Sequence, residues 1–164
     1  MKLGHFENLY YLSTSNKHYI NMEIGFQHLH SLLAYILLAI LIIAVVVNGL
    51  AYFQGKPYGE TNRKLSLYAL IATHLQVVIG LVLYFLSPLG FSAMSGEAMK
   101  VSESRFYFLE HPLMMILAVI LITIGYSKSK KATDSKKKYK VMLGFYSIAL
   151  IFILSRIPWD RWFS

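Results

Sequence analysis

Four long runs of apolar residues are the feature that most constrains how this 164-residue chain folds. They cover about residues 27–53, 65–87, 107–126 and 140–157. Each is close to the roughly 20 residues that an α-helix needs to cross ~30 Å of hydrocarbon. Strands of a membrane β-barrel would be ~10 residues long and would alternate apolar with polar positions, which these runs do not. The sequence therefore predicts an all-α integral membrane protein, a bundle of four transmembrane helices.

Composition agrees with a single membrane domain, predicted over residues 25–164. Hydrophobic residues make up 56% of the chain, more than a water-soluble domain of this size can bury. The absence of cysteine excludes disulfides, thiolate metal sites and covalent haem attachment through paired thiols. Residues 1–24 are polar and aromatic and lack the apolar core of a signal peptide. We predict that this segment lies at the membrane interface and is not cleaved.

The charge distribution predicts the orientation in the membrane. Loops 54–64 and 127–140 together hold ten of the sixteen Lys and Arg residues. The positive-inside rule places such loops in the cytoplasm, so both termini face the outer side. We interpret the lysine-rich loop as this topology signal and not as a nucleic-acid site; binding of acidic lipid is an alternative that stays open.

Two histidines are predicted to face each other near the outer ends of the first and third spans. Gln27, His30, Ser31 and Ala34 form one helical stripe of small and polar residues, as expected of a wall inside a bundle. His28 is rotated by about 200° from His30 and should face the headgroups. His111 begins the third span, next to Pro112, and both spans run inward from the outer side. Imidazoles at one depth on facing helices are the ligands that a six-coordinate haem b needs.

His74 lies near the middle of the second span, where a polar side chain is costly and indicates a functional site. It is about ten residues from the cytoplasmic end, or ~15 Å, and so lies deeper than the other pair. A place beside the haem, a second cofactor, a proton relay and an interhelical hydrogen bond are all open interpretations. The same depth difference disfavours a copper or zinc site made of His30, His74 and His111.

Arginines are predicted to complete the haem site. Arg105, Arg156 and Arg161 fall on the outer side, where haem propionates would point, and arginine pairs with carboxylates in a bidentate manner. Glu110 precedes His111 and is expected to orient it, to move protons or simply to lie at the interface. The sequence shows no phosphate-binding glycine loop, nucleophile elbow or zinc-protease motif.

Four segments carry a resemblance to a family: "LHSLLAY", "HLQVVIGLVLYF", "RFYFLEHPLMMILAVILITIG" and "RIPW". Together they resemble the small four-span membrane proteins labelled "cytochrome B" in Bacteroidetes-type bacteria, over nearly the whole chain after residue 25. That family often carries Arg where this chain has Ala34, so no propionate contact is expected there. More distantly, the chain is similar to one half of haem A synthase. Both resemblances imply that His30 and His111 are axial ligands, and the nearer one includes His74 and implies a bacterial inner membrane.

The sequence thus predicts a b-type haem protein of respiratory electron transfer, with one haem and with electrons drawn from quinol or from a larger membrane complex. Two alternatives stay open. One is an accessory subunit without a redox role, whose polar residues join helices or bind a partner. The other is a haem-handling protein, by similarity to haem A synthase.

Overall fold

A computed structural model describes the backbone from Leu3 to Trp162 and the side chains from Lys17 to Asp160. Within this part the chain is helical and contains no strand. The four long helices are α1 (Leu3–Phe53), α2 (Glu60–Leu86), α5 (His111–Lys131) and α6 (Ser135–Ser155). Short elements fill the remainder: a 3₁₀ turn (Phe91–Ala93), α3 (Gly96–Lys100), α4 (Ser102–Arg105), a π-helical turn (Phe106–Glu110) and α7 (Trp159–Trp162).

Four helical segments are long and apolar enough to cross a membrane, namely Lys17–Phe53, Glu60–Leu86, Ser102–Lys131 and Ser135–Ser155. The predicted all-α four-helix membrane bundle is therefore confirmed. The fourth helix begins at Ser135 and not near residue 140, because the Asp134 carboxylate caps it by accepting from the Lys137 N–H at 2.8 Å. The interfacial role of residues 1–24 and the placement of both termini outside stay predictions.

The order of helix packing decides which faces meet in the centre. α1 packs along α2, and α5 packs along α6. Fewer contacts join α1 to α6 and α2 to α5, which closes the square. α1 and α5 consequently occupy diagonal corners, so the inner faces that carry His30 and His111 look at each other across the bundle.

Small residues bring the helices close together. The fully buried alanines Ala44, Ala69, Ala118 and Ala149 come one from each long helix. Large apolar side chains are instead exposed on the outside, among them Leu50, Ile71, Phe85, Leu113 and Ile151. Small residues at the contacts between helices and large apolar residues on the outside suit a bundle in lipid, where close backbone approach replaces the hydrophobic effect between helices.

Gly125 lies where α5 and α6 approach closely. A Cβ atom at this position would lie 2.6 Å from the Cβ of Phe145. Because that neighbour is attached directly to the α6 backbone, it cannot move aside by a rotamer change. The two helices would have to separate.

We therefore expect Gly125→Ala to destabilise the bundle by about 1–3 kcal/mol through overpacking. Thermal unfolding of the purified protein in detergent measures this as a lower Tm. Gly144→Ala is the matched control, because no described atom lies within 4 Å of a Cβ added there. Equal Tm values for the two variants would contradict close packing at Gly125.

Candidate functional site

A cavity of about 490 Å³ lies between the helices, in the half of the bundle that contains His30 and His111. Its walls come from all four long helices and are mainly apolar. Residues that line it include Ala34, Leu37, Val77, Leu81, Met115, Ala118 and Ile153. Its polar lining includes His30, Ser31, Thr73, Gln76, Tyr84 and His111. A cavity with apolar walls and a few convergent polar groups is typical of a cofactor site.

The structure brings His30 and His111 together across this cavity. Their ring centres are 6.2 Å apart and their ring planes make an angle of 75°. The two side chains come from the diagonal helices α1 and α5, at the same level of the bundle. This is the juxtaposition that the sequence predicted, and their role as ligands stays a prediction.

The backbone before His111 departs from a regular α-helix. Pro112 has no N–H and its ring displaces the carbonyl of residue i−4, which is Phe108. The turn Phe106–Glu110 adopts π geometry at this point. The Tyr84 hydroxyl, from α2, donates to the Phe108 carbonyl at 3.0 Å. The π-helical turn thus carries the chain through the proline without ending the helix, and His111 itself keeps helical torsion angles.

A backbone carbonyl orients the His111 ring. Its Nδ1 atom is 2.6 Å from the carbonyl oxygen of Arg156, just after α6. A carbonyl only accepts hydrogen bonds, so Nδ1–H must be the donor. The Nε2 atom then carries the lone pair. Metal-binding histidines commonly have their second nitrogen fixed in this way.

Gln76 is the main partner of His30, and the sequence reasoning missed it. Its amide Nε2 is 2.9 Å from the His30 carbonyl oxygen and 3.1 Å from the ring Nδ1. Gln76 is only 7% exposed, and its Oε1 atom has no hydrogen-bond partner among the described residues. The sequence does contain a pattern that indicates the inward position of Gln76, a stripe of residues at helical spacing on α2. The members of this stripe all line the cavity: Thr73, Gln76, Val77, Gly80 and Tyr84.

Gly80 makes room for the His30 ring. A Cβ atom at this position would lie 3.0 Å from the ring Cε1. Such a contact is tight for carbon atoms, so a larger residue would push the imidazole from its place. The small residue on α2 therefore helps to set the position of His30 on α1.

Arg105 and Arg156 form an ionic cluster with Glu110 beside the cavity. The Arg105 Nε donates to a Glu110 oxygen at 2.8 Å, and the Arg156 Nε lies 3.5 Å from the other. Neither arginine belongs to the described cavity lining. The side chain of Arg161 lies outside the described residues. Glu110 is hydrogen-bonded by Arg105, while its contact with the Arg156 Nε is an ion pair without a hydrogen bond. The His111 ring is oriented by the Arg156 carbonyl and not by the Glu110 carboxylate.

His74 lies apart from the cavity. It is exposed on the seam between α2 and α5, where its Nδ1 is 2.9 Å from the Leu70 carbonyl and its Nε2 is 3.4 Å from the Thr123 hydroxyl. The contact with Thr123 joins α2 to α5, as expected if His74 serves as an interhelical hydrogen-bonding residue. The described residues hold no group of three or more His, Cys, Asp or Glu side chains arranged for a metal ion.

Comparison with known proteins gives no assignment: no family model, no curated protein and no solved structure matches the chain.

The hydrogen bond from Tyr84 to Phe108 generates a stability prediction. In Tyr84→Phe the Phe108 carbonyl loses its donor in a region without water, which costs about 1–3 kcal/mol. We expect a lower Tm in detergent and faster hydrogen exchange at the start of α5. Tyr68→Phe, on the same helix at a side chain 51% exposed, should change neither. An unchanged Tm in Tyr84→Phe would show that Phe108 does not depend on this donor.

Proposed function

We propose that this chain is a membrane protein that binds one haem b between His30 and His111 and takes part in respiratory electron transfer. The observation that carries the proposal is the 6.2 Å separation of the two ring centres. Two imidazoles that bond one metal from opposite sides at ~2 Å each hold their ring centres roughly 6 Å apart. The pair thus has the spacing of axial ligands.

The surroundings of the pair fit the same group. The cavity of about 490 Å³ is large enough for a cofactor and mainly apolar, as a flat hydrophobic macrocycle requires. His111 has its Nδ1–H bonded to a carbonyl, which leaves Nε2 for iron. The Gln76 amide Nε2 donates to the His30 carbonyl at 2.9 Å and lies 3.1 Å from the ring Nδ1, so Gln76 fixes the position of the His30 ring.

Each residue has a defined task in this proposal. His30 and His111 hold the iron, while Gln76 and the Arg156 carbonyl orient the two rings. The apolar walls exclude water and so raise the cost of charge within the site. Haem b, when bound, supplies a one-electron iron couple whose potential depends on axial ligands and burial. Arg105 and Arg156 would be the cations to pair with the propionates, and both lie within ion-pair distance of Glu110 in this structure.

Electron transfer requires a donor and an acceptor, which we propose to be quinol or a larger respiratory complex in a bacterial inner membrane. The outward-facing apolar side chains on all four long helices support a bilayer as the surroundings.

The test is the haem content of ligand variants. We expect wild-type protein purified from haem-producing cells to contain about one b haem per chain by the pyridine haemochrome assay. His30→Ala and His111→Ala should each lose the haem or change its absorption spectrum, because one axial bond is lost. His74→Ala is the control and should keep the wild-type spectrum, since that side chain lies outside the cavity.

Two results would overturn the proposal. The first is a folded wild-type protein without haem, which would favour an accessory subunit. The second is a wild-type spectrum in both His30→Ala and His111→Ala. Haem that is bound but exchanges rapidly with apomyoglobin would instead favour a haem-handling protein.

A further inference from the structure

A second pocket lies at the opposite end of the bundle, beside the loops that join α1 to α2 and α5 to α6. Its volume is about 240 Å³. Three basic side chains from three different helices line it: Arg63 of α2, Lys130 of α5 and Lys138 of α6. We call these three residues and the space between them the basic pocket. It is remote from the histidine pair, and the proposed function does not use it.

The positive charge of the basic pocket is not cancelled by the protein. In the described part of the chain, no carboxylate forms an ion pair with Arg63, Lys130 or Lys138. Glu60 also lines the pocket, but its carboxylate is paired with Lys64 at 2.9 Å. Three cations without carboxylate partners favour a bound anion, which lowers their mutual repulsion.

The walls of the pocket are held in place by interhelical contacts. The Lys138 ammonium lies 5.7 Å from the centre of the Tyr58 ring, a cation–π arrangement. The Ser129 hydroxyl, only 3% exposed, donates to the Lys138 carbonyl at 3.2 Å. The Tyr58 N–H donates to the Ser135 hydroxyl at 3.0 Å. Lys138 and the backbone around it are therefore held in place before any ligand arrives, which reduces the entropy lost on binding, whereas Arg63 and Lys130 are exposed.

The chemistry that matches three converging cations is a phosphate group, whose oxygens accept hydrogen bonds from several donors at once. Position indicates its source. Tyr126 and Ser129 line the pocket from within the membrane-length segment Ser102–Lys131, and Lys130 stands at the end of that segment. The end of a membrane-length helix is expected at the level of the headgroups. Basic pockets between transmembrane helices on the cytoplasmic side are known to take anionic headgroups.

We propose that the basic pocket binds the phosphate of an anionic phospholipid in the leaflet next to the two basic loops. The lipid would join α2, α5 and α6 at the end of the bundle where the loops connect them. The site is independent of haem.

The experiment measures lipid binding to the full-length protein in neutral detergent. The Tm is followed during titration with dioctanoyl phosphatidylglycerol, with dioctanoyl phosphatidylcholine and with inorganic phosphate at matched ionic strength. Wild type should show saturable stabilisation by phosphatidylglycerol alone. The triple variant Arg63→Gln, Lys130→Gln, Lys138→Gln should raise the apparent Kd for phosphatidylglycerol about tenfold or more.

A matched triple variant distinguishes binding in the basic pocket from a general effect of net charge. Lys131→Gln, Lys136→Gln, Lys140→Gln removes three positive charges from the same end of the bundle, at exposed residues outside the pocket lining. Its apparent Kd should change by less than about threefold. Where the pocket triple does not fold, the single variants Arg63→Gln and Lys138→Gln replace it, each with an expected rise of about threefold or more.

Three outcomes would overturn the proposal. An equal rise in the apparent Kd for phosphatidylglycerol in both triple variants would mean that net charge, and not the basic pocket, attracts the lipid. Equal stabilisation by phosphatidylcholine would mean that the anionic headgroup is not recognised. Equal stabilisation by inorganic phosphate would assign the pocket to free phosphate and not to a lipid.

Discussion

The structure depends on satisfying polar groups where no water is available. In hydrocarbon an unpaired backbone carbonyl costs several kcal/mol, so the protein must supply every partner itself. Three buried side chains, Asn48, Ser66 and Thr73, donate back to a carbonyl one turn earlier in their own helices. Where Pro112 leaves the Phe108 carbonyl without its helical donor, Tyr84 donates from α2. These bonds allow polar residues inside the bundle without breaking its helices.

This rule is incompletely met at three buried atoms of the described residues, Asn48 Oδ1, Gln76 Oε1 and Arg156 Nε, and Gln76 lines the cavity between His30 and His111. The Oε1 of Gln76 is buried without a hydrogen-bond partner among the described residues, and the two imidazoles face each other in mainly apolar surroundings. Polar groups at membrane depth are costly, and they usually mark a functional site. A metal centre between the rings would use one nitrogen lone pair of each imidazole, so two rings that face each other in mainly apolar surroundings fit the proposed haem site.

The four helices and the histidine pair could be predicted from the sequence, whereas the groups that orient the two rings depend on how the helices pack. The length of the apolar runs predicted four helices, and helical spacing with shared depth predicted that His30 faces His111. The role of the Arg156 carbonyl was not predictable, because it depends on where α6 ends relative to α5. Gln76 was missed because nothing on its own helix indicates its partner, which lies 46 residues away on α1. For Glu110 the sequence left open the orientation of His111, proton movement and a place at the interface. In the structure its carboxylate lies within ion-pair distance of two arginines whose positions only the fold determines.

Electron paramagnetic resonance of the oxidised, purified protein tests the central claim most directly, since it reports the spin state and the ligand geometry of the iron. With His30 and His111 as axial ligands, the account predicts a low-spin ferric signal. The 75° angle between the rings predicts the strongly anisotropic form that near-perpendicular imidazole planes produce. A high-spin signal would mean that one of the two ligands is missing, and folded protein without any haem signal would contradict the account altogether.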